Sequence, residues 1–86
     1  MKVKVRLFGA FRDLGAVPLV EVELPQDAVV ADLRDALHRR WSAEQAGFNP
    51  GLLRCSAFAD ETQVLREREP LADGATVAIL PPVSGG

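Results

Sequence analysis

Few side chains in this 86-residue sequence are equipped for covalent chemistry. His38 is the single histidine and Cys55 the single cysteine, and neither stands in a spacing that pairs a nucleophile with a base or gathers ligands around a metal. His38 falls just off the apolar stripe of a predicted helix, where a partly exposed surface position is the plain expectation. Cys55 falls in a predicted strand, where a free cysteine behaves as a small buried hydrophobe. The acidic residues are scattered through turns and helix, so no carboxylate pair can be assigned acid and base roles. Gly9, Gly15, Gly47, Gly51 and Gly74 are isolated and show no phosphate-loop spacing. No metal site is expected, and the chain is not expected to bind nucleotide or to catalyse a reaction by itself.

One reactive group remains, the carboxylate at the end of ILPPVSGG. A carboxylate is a poor electrophile because its carbonyl is resonance-stabilised and its leaving group would be oxide. Conversion to a mixed anhydride such as an acyl-adenylate removes both obstacles, but requires ATP and a second protein. Gly85 and Gly86 lack Cβ atoms and allow close backbone approach inside a narrow channel. Pro81 and Pro82 restrict φ and favour an extended stretch that holds the tail away from the fold. Val83 and Ser84 complete an uncharged segment. The residues alone leave two readings open: a frayed end of the ordinary kind, or a reagent delivered into the active site of another enzyme.

The rest of the chain must position that tail. Its length fits one domain, and its apolar and charged fractions, 48% and 26%, match ordinary soluble globular proteins rather than disordered or fibrous ones. A lone cysteine points to a reducing cytoplasm. The opening MKVKVRLF alternates charge with apolar residues, unlike a signal peptide or membrane span. A net charge of −2 gives no overall basic footprint for nucleic acid.

The alternation in residues 2–7 predicts a half-buried strand with Val3, Val5 and Leu7 inward and Lys2, Lys4 and Arg6 outward. A second strand over 19–24 completes a hairpin, with its turn between residues 9 and 18. Val30, Leu33, Leu37 and Trp41 recur at helical spacing, with Asp27 as the expected cap and Gly47 and Pro50 as the stop. Residues 52–58 and 63–65 read as short strands around the turn 59–62. Gly74 supplies a positive φ in the turn 70–74, and residues 76–80 form the last strand with Val77 and Ile79 inward. If that strand lies parallel to the first, Phe8 and Leu80 meet on the helix-free face as an apolar patch at the root of the tail.

The stretches KVRLFGAFRDLG, VVADLRDAL and PLADGATVAILPPVSGG together frame nearly the whole chain, and PPVSGG is the most specific. On these the sequence resembles the sulfur carriers of the molybdopterin-synthase small-subunit type. The resemblance implies an α+β, ubiquitin-like β-grasp fold, a mixed sheet of four to five strands with one main helix on one face, over residues 1–80. Residues 81–86 would form an extended tail. It further implies that Gly86 is adenylated by an E1-like enzyme using ATP and Mg, becomes a thiocarboxylate, and donates sulfur to precursor Z within a complex with the large synthase subunit. Pro81, Pro82, Val83, Ser84 and Gly85 would enter that subunit, which supplies the catalytic groups. Phe8, Leu80 and Arg12 would contact the partners, and no cofactor would be bound by this chain. Two positions depart from the common pattern: Val29 stands where many relatives carry Thr at the helix entry, and AFADETQ lacks an Asn in its turn. A Gly-Gly tail also serves carriers for thiamine or tRNA thiolation and protein modifiers, and a docking module with an inert tail is a further alternative.

Overall fold

The computed structural model describes residues 1–14 and 18–82 of the chain. Strand β1 (Lys2–Leu7) alternates exposed and buried residues without a break, because each successive side chain leaves the opposite side of the pleat. It pairs antiparallel with β2 (Leu19–Glu23), with Val3 opposite Val22 and Val5 opposite Val20. On its other side it runs parallel to β5 (Thr76–Leu80), with Leu7 opposite Ile79. β3 (Ala57–Ala59) joins β5 antiparallel, and β4 (Val64–Leu65) closes the far edge. The result is a five-stranded mixed sheet in the order β2-β1-β5-β3-β4.

Helix α1 (Val30–Glu44) buries Val30, Leu33, Leu37 and Trp41 against one face of this sheet. Its start differs from the expectation. Asp27 takes no part in the cap: the Asp32 carboxylate accepts the Val29 N–H at 2.8 Å, and the segment 67–69 supplies acceptors for the next two N–H groups. The Val30 and Ala31 N–H groups donate to the carbonyls of Glu69 and Glu67 at 3.0 and 2.8 Å. A helix N-terminus needs acceptors of any origin, so Val29 serves without the hydroxyl of a Thr.

Two further expectations are corrected. Pro50 opens a helix instead of ending one, because its missing N–H and fixed φ suit the first helical position. In α2 (Pro50–Arg54) the Asn49 side chain caps the N–H groups of Gly51 and Leu52. The expected strand 52–58 therefore shrinks to β3, and Cys55, which closes α2, is exposed rather than buried. The apolar pair Leu52-Leu53 is too short for periodicity to separate helix from strand.

The hairpin turn also holds more structure than its polar residues suggest. Gly9–Leu14 is a 3₁₀ helix that drives Phe11 fully into the core, stacked on Trp41 with ring centroids 5.6 Å apart. On the opposite flank, Arg34 of α1 gathers the carbonyls of Leu53 and Ser56 at 2.6 and 2.8 Å. It also makes a two-pronged ion pair with Glu67 and lies 5.0 Å over the Phe58 ring. One guanidinium thus ties α1 to α2, β3 and the capping segment. The Asp60 carboxylate organises the turn after β3, accepting the N–H groups of Thr62 and Gln63, so an Asp does there what an Asn does elsewhere. Those bonds hold its pKa below the usual carboxylate range.

Candidate functional site: the root of the tail

Strands β1 and β5 run parallel and end side by side. Register carries Leu7 opposite Ile79, and both are buried. The next residue on each strand then points the other way. Phe8 and Leu80 are accordingly exposed, at 44% and 37% of their surface, although single exposed apolar residues are common. One step further, Gly9 meets Pro81. Gly9 has φ +58°, and a Cβ placed on it would stand 2.7 Å from Pro81 Cγ. Glycine suits both demands, the left-handed backbone and the close approach. The first proline of the tail is thus seated on the fold, half-buried, while Pro82 is exposed. Val83, Ser84, Gly85 and Gly86 lie outside the described residues.

Phe8 and Arg12 line a common hollow of about 340 Å³, together with Arg6, Leu7, Pro18 and Leu19. The 3₁₀ helix sets Arg12 at its rim by turning Phe11 inward one residue earlier. Leu80 is not part of this wall. It stands one strand over, opposite Ala57 of β3. The sequence reading placed Phe8, Arg12 and Leu80 together but missed Arg6, Leu19 and Gly9. The alternation in KVKVR already showed Arg6 facing outward. What sets it apart is its partner across the sheet, which only register reveals.

The remaining chemistry-bearing residues lie away from this end. His38 is exposed and packs its ring edge-on to Phe48 at 5.9 Å. Among the described residues no cluster of His, Cys, Asp and Glu is arranged to hold a metal, and no helix is long and apolar enough to cross a membrane.

Set against known proteins, the sequence pattern of the ThiS family matches residues 5–86, through both terminal glycines. The chain belongs to the ThiS family. Among curated relatives of this ThiS-family chain is the molybdopterin synthase sulfur carrier subunit of Drosophila yakuba, 30% identical over all of this chain and 92% of that protein. Among solved structures, the putative molybdopterin converting factor subunit 1 of Pyrococcus furiosus superposes with a TM-score of 0.73 at 32% identity, over 95% of this chain and 98% of that one. SAMP1 of Haloferax volcanii, a small archaeal modifier protein, gives a TM-score of 0.74 at 28% identity over the whole of both chains. A complex of subunits 1 and 2 of the molybdopterin-converting factor from Helicobacter pylori gives 0.62 at 26%, again over the whole of both chains. The ubiquitin-like β-grasp architecture of the ThiS family is thus the fold of this chain.

Proposed function

We propose that this ThiS-family chain is the sulfur carrier of a molybdopterin synthase, working as a co-substrate rather than as a catalyst alone. The observation that carries the reading is the likeness over the whole chain to a curated molybdopterin synthase sulfur carrier subunit, supported by the ThiS-family match that includes Gly85 and Gly86. Residues 1–80 form the folded body, Pro81 rests on it at Gly9 instead of being held away from it, and the remainder of the segment 81–86 is the part that enters other proteins.

The chemistry follows from the carboxylate. One Gly86 carboxylate oxygen attacks the α-phosphorus of ATP, held with Mg by an E1-like activating enzyme, and pyrophosphate leaves. Sulfur at the sulfide level then attacks the acyl carbon and AMP departs, giving a thiocarboxylate. A thioacid is largely ionised at neutral pH, and its sulfur is softer and more nucleophilic than a carboxylate oxygen. The large synthase subunit takes the tail and supplies the groups for transfer to precursor Z, a partnership supported by the likeness to the Helicobacter pylori two-subunit complex. Phe8, Leu80 and Arg12 contact that subunit, and the seat of Pro81 on Gly9 aims the tail toward it.

The test is intact mass after incubation with ATP, Mg, the activating enzyme and a sulfur donor. One terminal oxygen is expected to be replaced by sulfur, and the variant lacking Gly86 is expected to lose all cofactor synthesis while keeping its fold. An unchanged terminus in the wild type would overturn the reading. The likeness to SAMP1 favours a second one, attachment of the same carboxylate to protein lysines. Isopeptide conjugates in place of the thiocarboxylate would select it.

A further inference from the structure

We propose that Arg6, seated beside Leu19 on the bare face of the sheet, is a carboxylate anchor that receives an acidic side chain flanked by apolar surface on the large synthase subunit. The inference rests on the carrier reading above and adds a recognition residue and the chemistry of its counterpart.

The charge pattern of the hairpin carries it. β1 presents three cations in a row on the bare face, and register sets each against a residue of β2. Lys2 stands opposite Glu23 and Lys4 opposite Glu21. Lys2 also reaches Glu21 diagonally at 3.6 Å. Opposite-charge neighbours of this kind are the ordinary way a solvent-facing ladder is stabilised. The third cation breaks the pattern: Arg6 stands opposite Leu19 on one side and Ala78 on the other.

No carboxylate among the described residues stands within ion-pair distance of the Arg6 guanidinium. Asp60 and Glu61 border the hollow on the β3 side of Arg6, but Asp60 Oδ1 is already committed to Thr62 and Gln63. On the β2 side, the hollow shared with Arg12 is walled by Leu7, Phe8, Pro18 and Leu19. Arg6 is therefore a guanidinium without an ion pair among the described residues, with an apolar wall on its β2 side and the acidic turn 60–61 at a distance on its β3 side.

A partner that covers Phe8 and Leu80 also strips water from Arg6. Burying a lone charge is strongly unfavourable, whereas a carboxylate meeting the planar guanidinium with two parallel hydrogen bonds offsets the desolvation and fixes orientation. Charge complementarity thus defines the occupant as an acidic residue within an apolar surface.

The test measures binding of the full-length chain to the large synthase subunit by titration calorimetry at two salt concentrations. Arg6→Gln is compared with Lys4→Gln, which removes the same charge from the same strand and face but from a position whose cross-strand neighbour is a glutamate. Arg6→Gln is expected to weaken binding about tenfold and to flatten its salt dependence, with Lys4→Gln changing it less than about twofold. Arg6→Lys, which keeps the charge but loses the fork, is expected to fall between them. Equal effects of Arg6→Gln and Lys4→Gln would overturn the anchor, as would an absence of wild-type binding. Thiocarboxylate formation, read by mass on the same wild-type sample, separates the two ideas. A thiocarboxylated protein with equal variant effects refutes the anchor alone, whereas an unmodified protein whose binding still depends on Arg6 refutes the carrier reading alone.

Discussion

The two faces of the sheet are built from alternate residues of the same strands, yet they obey different rules. The helix-covered face is apolar throughout: Val3, Val5, Leu7, Val20, Val22, Phe58, Val77 and Ile79 are all buried there. The bare face carries Lys2, Lys4, Arg6, Glu21 and Glu23, with Leu19, Ala78 and Leu80 gathered toward the end where the tail leaves. One face supplies cohesion, and the other is the one proposed above for recognition. A period of two lets both be specified residue by residue without interference, so neighbours in sequence should fail in different ways.

The largest effect is expected at Ile79 and the sharpest contrast at its neighbour. Ile79→Ala opens a cavity under the sheet and should cost about 3 kcal/mol in denaturant unfolding. Leu80→Glu should leave stability within about 0.5 kcal/mol yet weaken binding to the large subunit about tenfold. A stable Ile79→Ala, or a Leu80→Glu that binds normally, would break the division between faces.

Arg34→Ala removes a guanidinium that satisfies two carbonyls, Glu67 and a face of Phe58 at once. A loss of roughly 2 kcal/mol is expected, with faster hydrogen exchange in α2 than in the β1–β2 hairpin. Uniform acceleration across both would show that Arg34 does not act locally.

Gly9→Val places a branched side chain at φ +58° and against Pro81. It should cost about 2 kcal/mol, and because it unseats Pro81 it should also slow thiocarboxylate formation. An unchanged rate of sulfur loading would show that the Pro81 seat does not direct the tail.

The smallest effect concerns acid stability. Hydrogen bonding from Arg34 lowers the Glu67 pKa more than burial raises it, and the Arg34 charge adds a smaller lowering. The carboxyl is more acidic folded than unfolded, so its contribution is complete above the ordinary glutamate range and is lost as pH falls through the lowered value. Because Glu67 is half exposed, the contribution stays under about 1 kcal/mol. Glu67→Gln should flatten the acid limb of the stability curve, and superimposable wild-type and variant curves would remove Glu67 from the account.

Periodicity made β1, β5 and α1 legible. The alternation of β1 and β5 and the stripe Val30, Leu33, Leu37, Trp41 each repeat often enough to fix both element and buried face. The segment 49–56 was not legible in that way: Asn49-Pro50 is a helix-start signal, but it competed with a short apolar run of either type. Phe11 was hidden for a related reason, being one aromatic in a turn without a repeating pattern, whose place in the core depends on Trp41, thirty residues away in sequence.

The sequence by itself determined the alternation of the strands and the amphipathic helix, because each is a local pattern that backbone geometry converts directly into structure. Tertiary structure alone decided that Val30 and Ala31 are capped by carbonyls of the segment 67–69, that Pro81 rests on Gly9, and that Arg6 faces Leu19 where its two companions face glutamates. Each of these depends on which residues register and packing bring together across the fold, and no local pattern encodes that pairing.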